Sequence, residues 1–133
     1  MTVTKFTPYV PQGPQSSALP LTARIGQLGA LNPGGWVSYT VMLRNRSDKP
    51  FSFGRSCPPY EEGFFGLRPL AYVLNCHAVG SIAPHGAVSF RMLIHVPQHG
   101  SSNLLTWNLA PHSFGGGVNA SCTPDGRRLG ACR

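Results

Sequence analysis

Four cysteines are the residues of this chain whose chemistry is most sharply limited by their spacing. They are Cys57, Cys76, Cys122 and Cys132, an even number that allows three pairings. Cys57 and Cys76 flank one stretch and Cys122 and Cys132 flank another, so sequential pairing closes two modest loops and anchors the C-terminal tail. Each bridge would stabilise the fold by ~3 kcal/mol in the loop-entropy model. The even count and the low charge content favour disulfides over free thiols.

Metal binding is the alternative chemistry for these thiols, because the chain also contains five histidines. The histidines are His77, His85, His95, His99 and His112. There is no Cys-x-x-Cys motif and no histidine pair of the zinc-finger kind. His95 and His99 are four residues apart, a spacing that aligns ligands on a helix, but Pro97 and Gly100 place them at a strand end and a loop. We predict no metal site and no cofactor, and keep a periplasmic-type copper or zinc carrier as the alternative function.

Carboxylates are too few and too scattered to suggest catalysis. The acids are Asp48, Glu61, Glu62 and Asp125, and no Gly-x-Ser-x-Gly motif is present. A Ser-His-Asp triad would have to be assembled arbitrarily from distant residues. Glu61 and Glu62 are adjacent, so along an extended backbone their side chains point apart and do not form an acid/base pair. We expect a protein that is not an enzyme.

An aromatic stretch is the strongest candidate for molecular recognition. From 57 to 70 the chain reads CPPYEEGFFGLRPL, with no clean period and two consecutive prolines, so we predict a long connection between strands. The candidate binding residues are Arg55, Tyr60, Phe64, Phe65 and Arg68. Aromatic side chains supply contact area and arginine supplies directed hydrogen-bond donors. The competing interpretation is that Phe64 and Phe65 plug the open end of the hydrophobic core, and the pattern does not choose between the two.

The charge balance points to anionic partners of low specificity. Lysine and arginine total 11 against 4 acids, which gives a formal net charge of +7. The arginines are scattered and only Arg127 and Arg128 are adjacent, so we expect a protein or an anionic envelope polymer as partner and no specific nucleic acid. No apolar run approaches the ~20 residues of a membrane span. Met1 to Lys5 is not followed by the apolar core of a signal peptide, so any targeting segment would lie upstream of this chain.

Alternating apolar residues divide the chain into strands. The clearest run, Trp36 to Arg44, places valine, tyrosine, valine and leucine on one side. Further strands are predicted at 19–26, 51–53, 71–77, 87–96 and 103–109, with a short edge strand at 2–10. The predicted shared core is Val37, Tyr39, Val41, Leu43, Val88, Phe90, Met92, Ile94 and Trp107. With 133 residues, 16 glycines and 13 prolines, the composition predicts one all-β domain.

Five short motifs carry a resemblance to a known family. They are Cys57-Pro58-Pro59-Tyr60, Leu74-Asn75-Cys76, Pro84-His85-Gly86, Phe90-Arg91-Met92 and Leu105-Thr106-Trp107-Asn108-Leu109. In this order they resemble immunoglobulin-like modules found outside the membrane in actinobacterial secreted and membrane-anchored proteins. The resemblance covers roughly residues 19–110. The cysteines depart from the antibody pattern, because they do not bracket a core tryptophan in the usual order.

The resemblance implies an immunoglobulin-like antiparallel β-sandwich of about seven strands, with a disulfide-stapled C-terminal tail. From the strand pattern and the cysteine spacing we expect the sandwich at residues 1–110, followed by a Gly-rich linker and a small Cys-closed tail at 111–133. The expected function is that of a monomeric, non-enzymatic binding, interaction or spacer domain of a larger envelope or secreted protein. The expected location is extracytoplasmic, either secreted or at the cell surface.

Overall fold

The computed structural model of this chain describes residues 19–99, 102–109 and 118–133. The strands are β1 (Leu21–Gly26), β2 (Trp36–Asn45), β3 (Phe51–Ser52), β4 (Pro59–Phe64), β5 (Leu70–Val73), β6 (Ser81–Ile82), β7 (Ala87–His95), β8 (Leu105–Leu109) and β9 (Val118–Cys122), and a 3-10 turn spans Cys76–Ala78. The strand expected at 2–10, His112 and most of the Gly-rich linker lie outside the described residues. Within the described ranges, no helix is long and apolar enough to cross a membrane.

Two antiparallel sheets face each other as a β-sandwich. One has the strand order β1-β2-β7 and the other β5-β4-β8-β9, while β3 and β6 form a separate two-stranded ribbon. β2 pairs with β7 along almost its whole length, from Trp36 opposite His95 to Arg44 opposite Ala87. The predicted antiparallel β-sandwich is therefore confirmed, with three strands facing four.

Alternating side chains from both sheets fill the interior. The four predicted core residues of β2 are each at most 4% exposed, and Trp107 of β8 is completely buried. β7 contributes Phe90, Met92 and Ile94, while Val88 is only partly buried against them. The period-2 pattern predicted this core correctly, because each of these strands has one face toward the facing sheet.

The stretch from 57 to 70 is not the long connection that the sequence predicted. It contains β4 and a short turn, and it reaches the first residue of β5, which pairs with β4 as an antiparallel hairpin. The inward positions of β4 are Tyr60, Glu62 and Phe64. Because a glutamate occupies the middle inward position, the apolar alternation is broken and the strand was not recognised.

The strand predicted at 71–77 is shorter than expected. β5 ends at Val73, and the chain then turns because the amide of Val79 bonds to the carbonyl of Cys76 at 3.0 Å. Cys76 is buried, at 1% exposure, whereas Tyr72 is 46% exposed.

The C-terminal residues continue the second sheet. β9 pairs with β8, from Val118 opposite Leu109 to Cys122 opposite Leu105. The sequence predicted no strand beyond Leu109, since VNASC has too few apolar residues for a period-2 signal. The pairing makes β9 one edge of the four-stranded sheet.

The two disulfides have the sequential pairing that the sequence predicted. They are Cys57–Cys76 and Cys122–Cys132. The first connects the entry to β4 with the turn after β5, and the second joins β9 to the last residues of the chain. A backbone bridge between Leu28 and Gly130 connects the Cys-closed segment to the chain just after β1.

Candidate functional site

The five predicted binding residues do not form one surface. The ring of Tyr60 stacks on the tryptophan of β8, with ring centroids 5.7 Å apart. Phe64 is 3% exposed, whereas Phe65, the next residue, is 66% exposed. Arg55 and Arg68 are both exposed, Arg55 before β4 and Arg68 in the turn between β4 and β5. Phe64 is thus part of the core and Phe65 part of the surface, so each of the two interpretations fits one phenylalanine.

Large apolar side chains are exposed together on the β4–β5 hairpin. All four residues of β5 are exposed. The exposed fractions are 66% for Phe65, 38% for Leu67, 51% for Leu70, 46% for Tyr72 and 70% for Val73. Both faces of β5 carry such side chains, since Leu70 and Tyr72 project from one face and Val73 from the other. Exposed apolar patches mark interaction sites. We call these five residues the hairpin surface.

Part of the hairpin surface is open because the two sheets differ in width. Tyr72 lies directly opposite Tyr60, and Leu70 lies directly opposite Glu62. Opposite residues of antiparallel strands project from the same face of the sheet, so Leu70 and Tyr72 point to the inner side of the sandwich. The facing sheet has only three strands and ends at β7. No described strand therefore covers the inner face of β5.

Strand β7 presents a free backbone edge beside β5. Among the described residues it pairs with β2 on one side only. Just beyond the two ends of that ladder, the amide of Asn45 donates to the carbonyl of Gly86 and the amide of Val96 donates to the carbonyl of Gly35, each at 2.8 Å. Hydrogen-bonded and non-hydrogen-bonded pairs alternate along an antiparallel ladder, so the even-numbered residues of β7 bond to β2. Residues 89, 91 and 93 consequently point their N–H and C=O groups outward.

Two cavities in succession form a groove between β7 and β5. The first, of about 390 Å³, is lined by Tyr72 on one side and by Arg91 and Leu93 on the other. The second, of about 230 Å³, is lined by Leu70 and Ile94 at the next positions along the same two strands. We call this feature the β7 groove. Its walls combine apolar side chains with the free backbone edge of β7.

The rim of the β7 groove is basic. Arg91 lines the first cavity and Arg68 the second, and both side chains are exposed. Glu62 also lines the second cavity, but it is only 2% exposed. No other carboxylate lines the described walls of these two cavities. An anionic side chain in the groove would therefore meet arginine.

Glu62 is a buried carboxyl that connects the two sheets. Its Oε1 accepts a hydrogen bond from the hydroxyl of Tyr39 on β2. Burial raises the pKa of the Glu62 carboxyl, although the Tyr39 hydrogen bond opposes this shift. Burial and the adjacent Glu62 carboxyl also raise the pKa of the Tyr39 hydroxyl, and the same causes raise the pKa of Tyr60 to about 12. Glu61 lies on the opposite face of β4, so the adjacent carboxyls point apart, as their spacing predicted.

One cluster of side chains has the residue types of a metal site. The ligand atoms of Cys57, Cys76 and His77 all lie within 4.8 Å of one another. The two sulfurs are bonded to each other in a disulfide, so neither is the thiolate that binds metals. In the oxidised chain this cluster offers a single nitrogen ligand. Elsewhere, the ring of His95 contacts the Gly34 carbonyl at 3.1 Å.

Sequence reasoning missed the β7 groove, because the groove depends on which strands pair. One signal was present: in LAYV at 70–73 the residues on both faces of the strand are apolar, whereas a strand with one solvated face alternates apolar and polar residues. A run of this kind is buried on both faces or needs a partner at its surface.

Comparisons of the chain with protein-family models, with curated proteins and with solved structures find no match. The function of the chain is therefore inferred from its own geometry. Three features carry that inference: the hairpin surface, the β7 groove and the two disulfides.

Proposed function

We propose that the chain is a non-enzymatic, extracytoplasmic β-sandwich module that binds another polypeptide, as one domain of a larger envelope or secreted protein. The observation that carries the proposal is the hairpin surface, where Phe65, Leu70, Tyr72 and Val73 are 46% to 70% exposed. Apolar area removed from water contributes about 25 cal/mol per Å², so a partner that covers these side chains gains binding energy directly. Aromatic residues beside arginine are also the composition of binding hot spots.

The two disulfides support a location outside the cytoplasm. No described cysteine is free, and structural disulfides persist in oxidising compartments. The seven strands of the two main sheets, three facing four, also support the immunoglobulin-like interpretation. Domains of that class bind partners through exposed loops and strand edges on a rigid scaffold.

An anionic envelope polymer is a weaker fit than a polypeptide. The net charge of +7 attracts polyanions, but the arginines are scattered along the chain. Exposed ion pairs contribute at most about 1 kcal/mol each and are weakened by salt. The apolar hairpin surface has no counterpart on a highly charged polymer, whereas a polypeptide supplies apolar side chains.

The test compares two variants of the full chain. In the hairpin variant, Leu70→Ser and Val73→Ser remove apolar contact area from β5. In the control, Leu129→Ser removes a leucine that is 87% exposed in the Cys122–Cys132 segment. Both variants should keep a free energy of unfolding within about 1 kcal/mol of the wild type, since surface positions cost little. Peptides selected from a displayed library on the wild-type chain should bind the hairpin variant at least tenfold more weakly and the control equally well.

Two other results would contradict the proposal. Selected peptides that bind the hairpin variant as well as the wild type would place recognition elsewhere. Retention of anionic polysaccharides alone, reversed by salt, would indicate a polymer-binding module. Thiol counting and elemental analysis of the purified chain test the carrier alternative: copper or zinc with free thiols would support it, whereas no metal and no free thiol would support the module.

A further inference from the structure

We propose that the β7 groove receives an extended segment of another polypeptide as an additional strand on β7, with apolar side chains alternating with acidic ones. The inference rests on the proposed function and deepens it, because it specifies where the partner binds and what its sequence looks like. In strand addition, main-chain hydrogen bonds supply affinity and pockets for alternate side chains supply specificity.

The backbone of β7 is a suitable template for an added strand. Residues 89, 91 and 93 direct their N–H and C=O groups away from β2, so donors and acceptors alternate along the edge. Natural edge strands are usually protected by proline, by several charges or by being short. β7 is nine residues long, contains no proline and has only one arginine or lysine, Arg91. Its edge therefore has little protection against pairing.

The width of the sandwich indicates where the added strand would lie. A fourth strand beside β7 would face β5 across the usual spacing of about 10 Å between packed sheets. Its residues opposite Met92 and Ile94 would point inward, as those two side chains do. There they would meet Tyr72 and Leu70, which requires apolar side chains at alternate positions of the segment.

The arginines determine which side chains suit the outward-facing positions of the added segment. The residue opposite Arg91 would project from the outer face of the sheet, beside the exposed guanidinium. An acidic side chain there would form an ion pair, and Arg68 would attract further acids at the other end of the groove. A second copy of this chain fits less well, because neither β5 nor β7 contains an aspartate or glutamate. A different polypeptide of acidic and apolar composition is the occupant that matches both sets of positions.

The first experiment uses synthetic peptides and the full chain. The probe is a blocked nine-residue peptide in which valine and glutamate alternate, and the control peptide has lysine in place of each glutamate. Calorimetric titration should detect binding of the glutamate peptide. The lysine peptide should bind at least about tenfold more weakly, because like charges face each other at Arg91 and Arg68.

The second experiment tests for backbone pairing. Leu93→Pro removes an outward N–H without removing a hydrogen bond to β2, and Leu93→Ala removes the side chain but keeps that N–H. The proline variant should weaken binding of the glutamate peptide at least about tenfold, the alanine variant less than about threefold, and Arg91→Gln about fivefold. N-methylation of the peptide, one amide at a time, should weaken binding to the wild-type chain at alternate positions only. This last measurement needs no change in the protein and does not depend on the stability of Leu93→Pro.

The outcomes separate this inference from the proposed function. If N-methylation is harmless at every position while the hairpin variant still loses its selected ligands, strand addition is wrong and the binding function stands. If Val73→Pro abolishes peptide binding and Leu93→Pro does not, the segment pairs with β5 and the inference is wrong. A wild-type dimer that Leu93→Pro converts to monomer would identify a second copy as the occupant, which also overturns it.

Discussion

Replacing each of two adjacent phenylalanines by alanine tests the phase of β4 and the existence of the hairpin surface together. Phe64 and Phe65 have the same chemistry and are neighbours in the chain, yet they are 3% and 66% exposed. We expect Phe64→Ala to destabilise the fold strongly and Phe65→Ala to leave it nearly unchanged. The two variants are matched controls for each other, because they remove the same atoms.

The magnitude follows from burial. Truncating a buried phenylalanine to alanine costs about 3–5 kcal/mol, depending on the cavity left behind. Phe64 is 3% exposed, so we expect a loss of at least about 3 kcal/mol. In a domain of this size that lowers the melting temperature by roughly 10–15 °C. An exposed substitution such as Phe65→Ala changes stability by about 0.5 kcal/mol, or about 2 °C.

Thermal melts followed by circular dichroism measure both variants, and urea unfolding supplies the free energies. Equal losses for the two variants would mean that Phe65 is part of the core and that the hairpin surface is smaller than described. A larger loss for Phe65→Ala would mean that β4 is out of phase by one residue. In that case Glu61 rather than Glu62 would point into the core, and the geometry of the β7 groove would be wrong.

Three further predictions concern the core and its bridges. Burial raises the folded-state pKa of Glu62 above its ordinary value of 4.5, so the free energy of unfolding of the wild type should fall as the pH rises from about 4.5 through the raised pKa. Glu62→Gln should remove this loss. Urea unfolding of both proteins at several pH values measures it, and a difference in unfolding free energy between them that does not change with pH would contradict the prediction. Phe90→Ala should cost ~3–5 kcal/mol in the same assay, and a loss below about 1 kcal/mol would mean that β7 is out of phase. Peptide mapping without reductant should recover Cys57 joined to Cys76. Replacing both by serine should lower the free energy of unfolding by ~3 kcal/mol. A bridge from either cysteine to Cys122 or Cys132 would refute the strand connectivity.

The long strands were predictable because their signal is local. β2 and β7 each place apolar residues at every second position toward the facing sheet, and no polar residue interrupts either inward series before the buried Asn45 at the end of β2. The disulfides were predictable for a related reason, since each joins cysteines that are near in sequence, 19 and 10 residues apart. In both cases the information lies within a short segment of chain.

β4 was not predictable, because the residue that stabilises a glutamate at its inward position is distant in the sequence. Glu62 occupies an inward position only because the hydroxyl of Tyr39, 23 residues earlier, donates a hydrogen bond to it. Sequence periodicity treats a glutamate as an outward residue, so it removes the strand from the prediction. Without a predicted strand at β4, the sequence pattern gives no side-chain direction for Tyr60, Phe64 and Phe65. It therefore cannot assign them to the core or to the surface.

The β7 groove requires one more level of information, which is how the two sheets close at each edge. On one side the Cys122–Cys132 segment reaches β1: the disulfide sulfur of Cys132 lies 3.3 Å from the carbonyl oxygen of Ile25, and Leu28 bridges to Gly130. On the other side, among the described residues, β5 extends beyond β7 and no strand covers its inner face. The apolar residues of β5 have no intramolecular reason to be apolar on both faces, whereas β9, at the opposite edge, alternates buried with more exposed positions. An edge strand that binds a partner is expected to be apolar on both faces, as β5 is and β9 is not. The comparison can be made only when the order of the strands in the sheet is known.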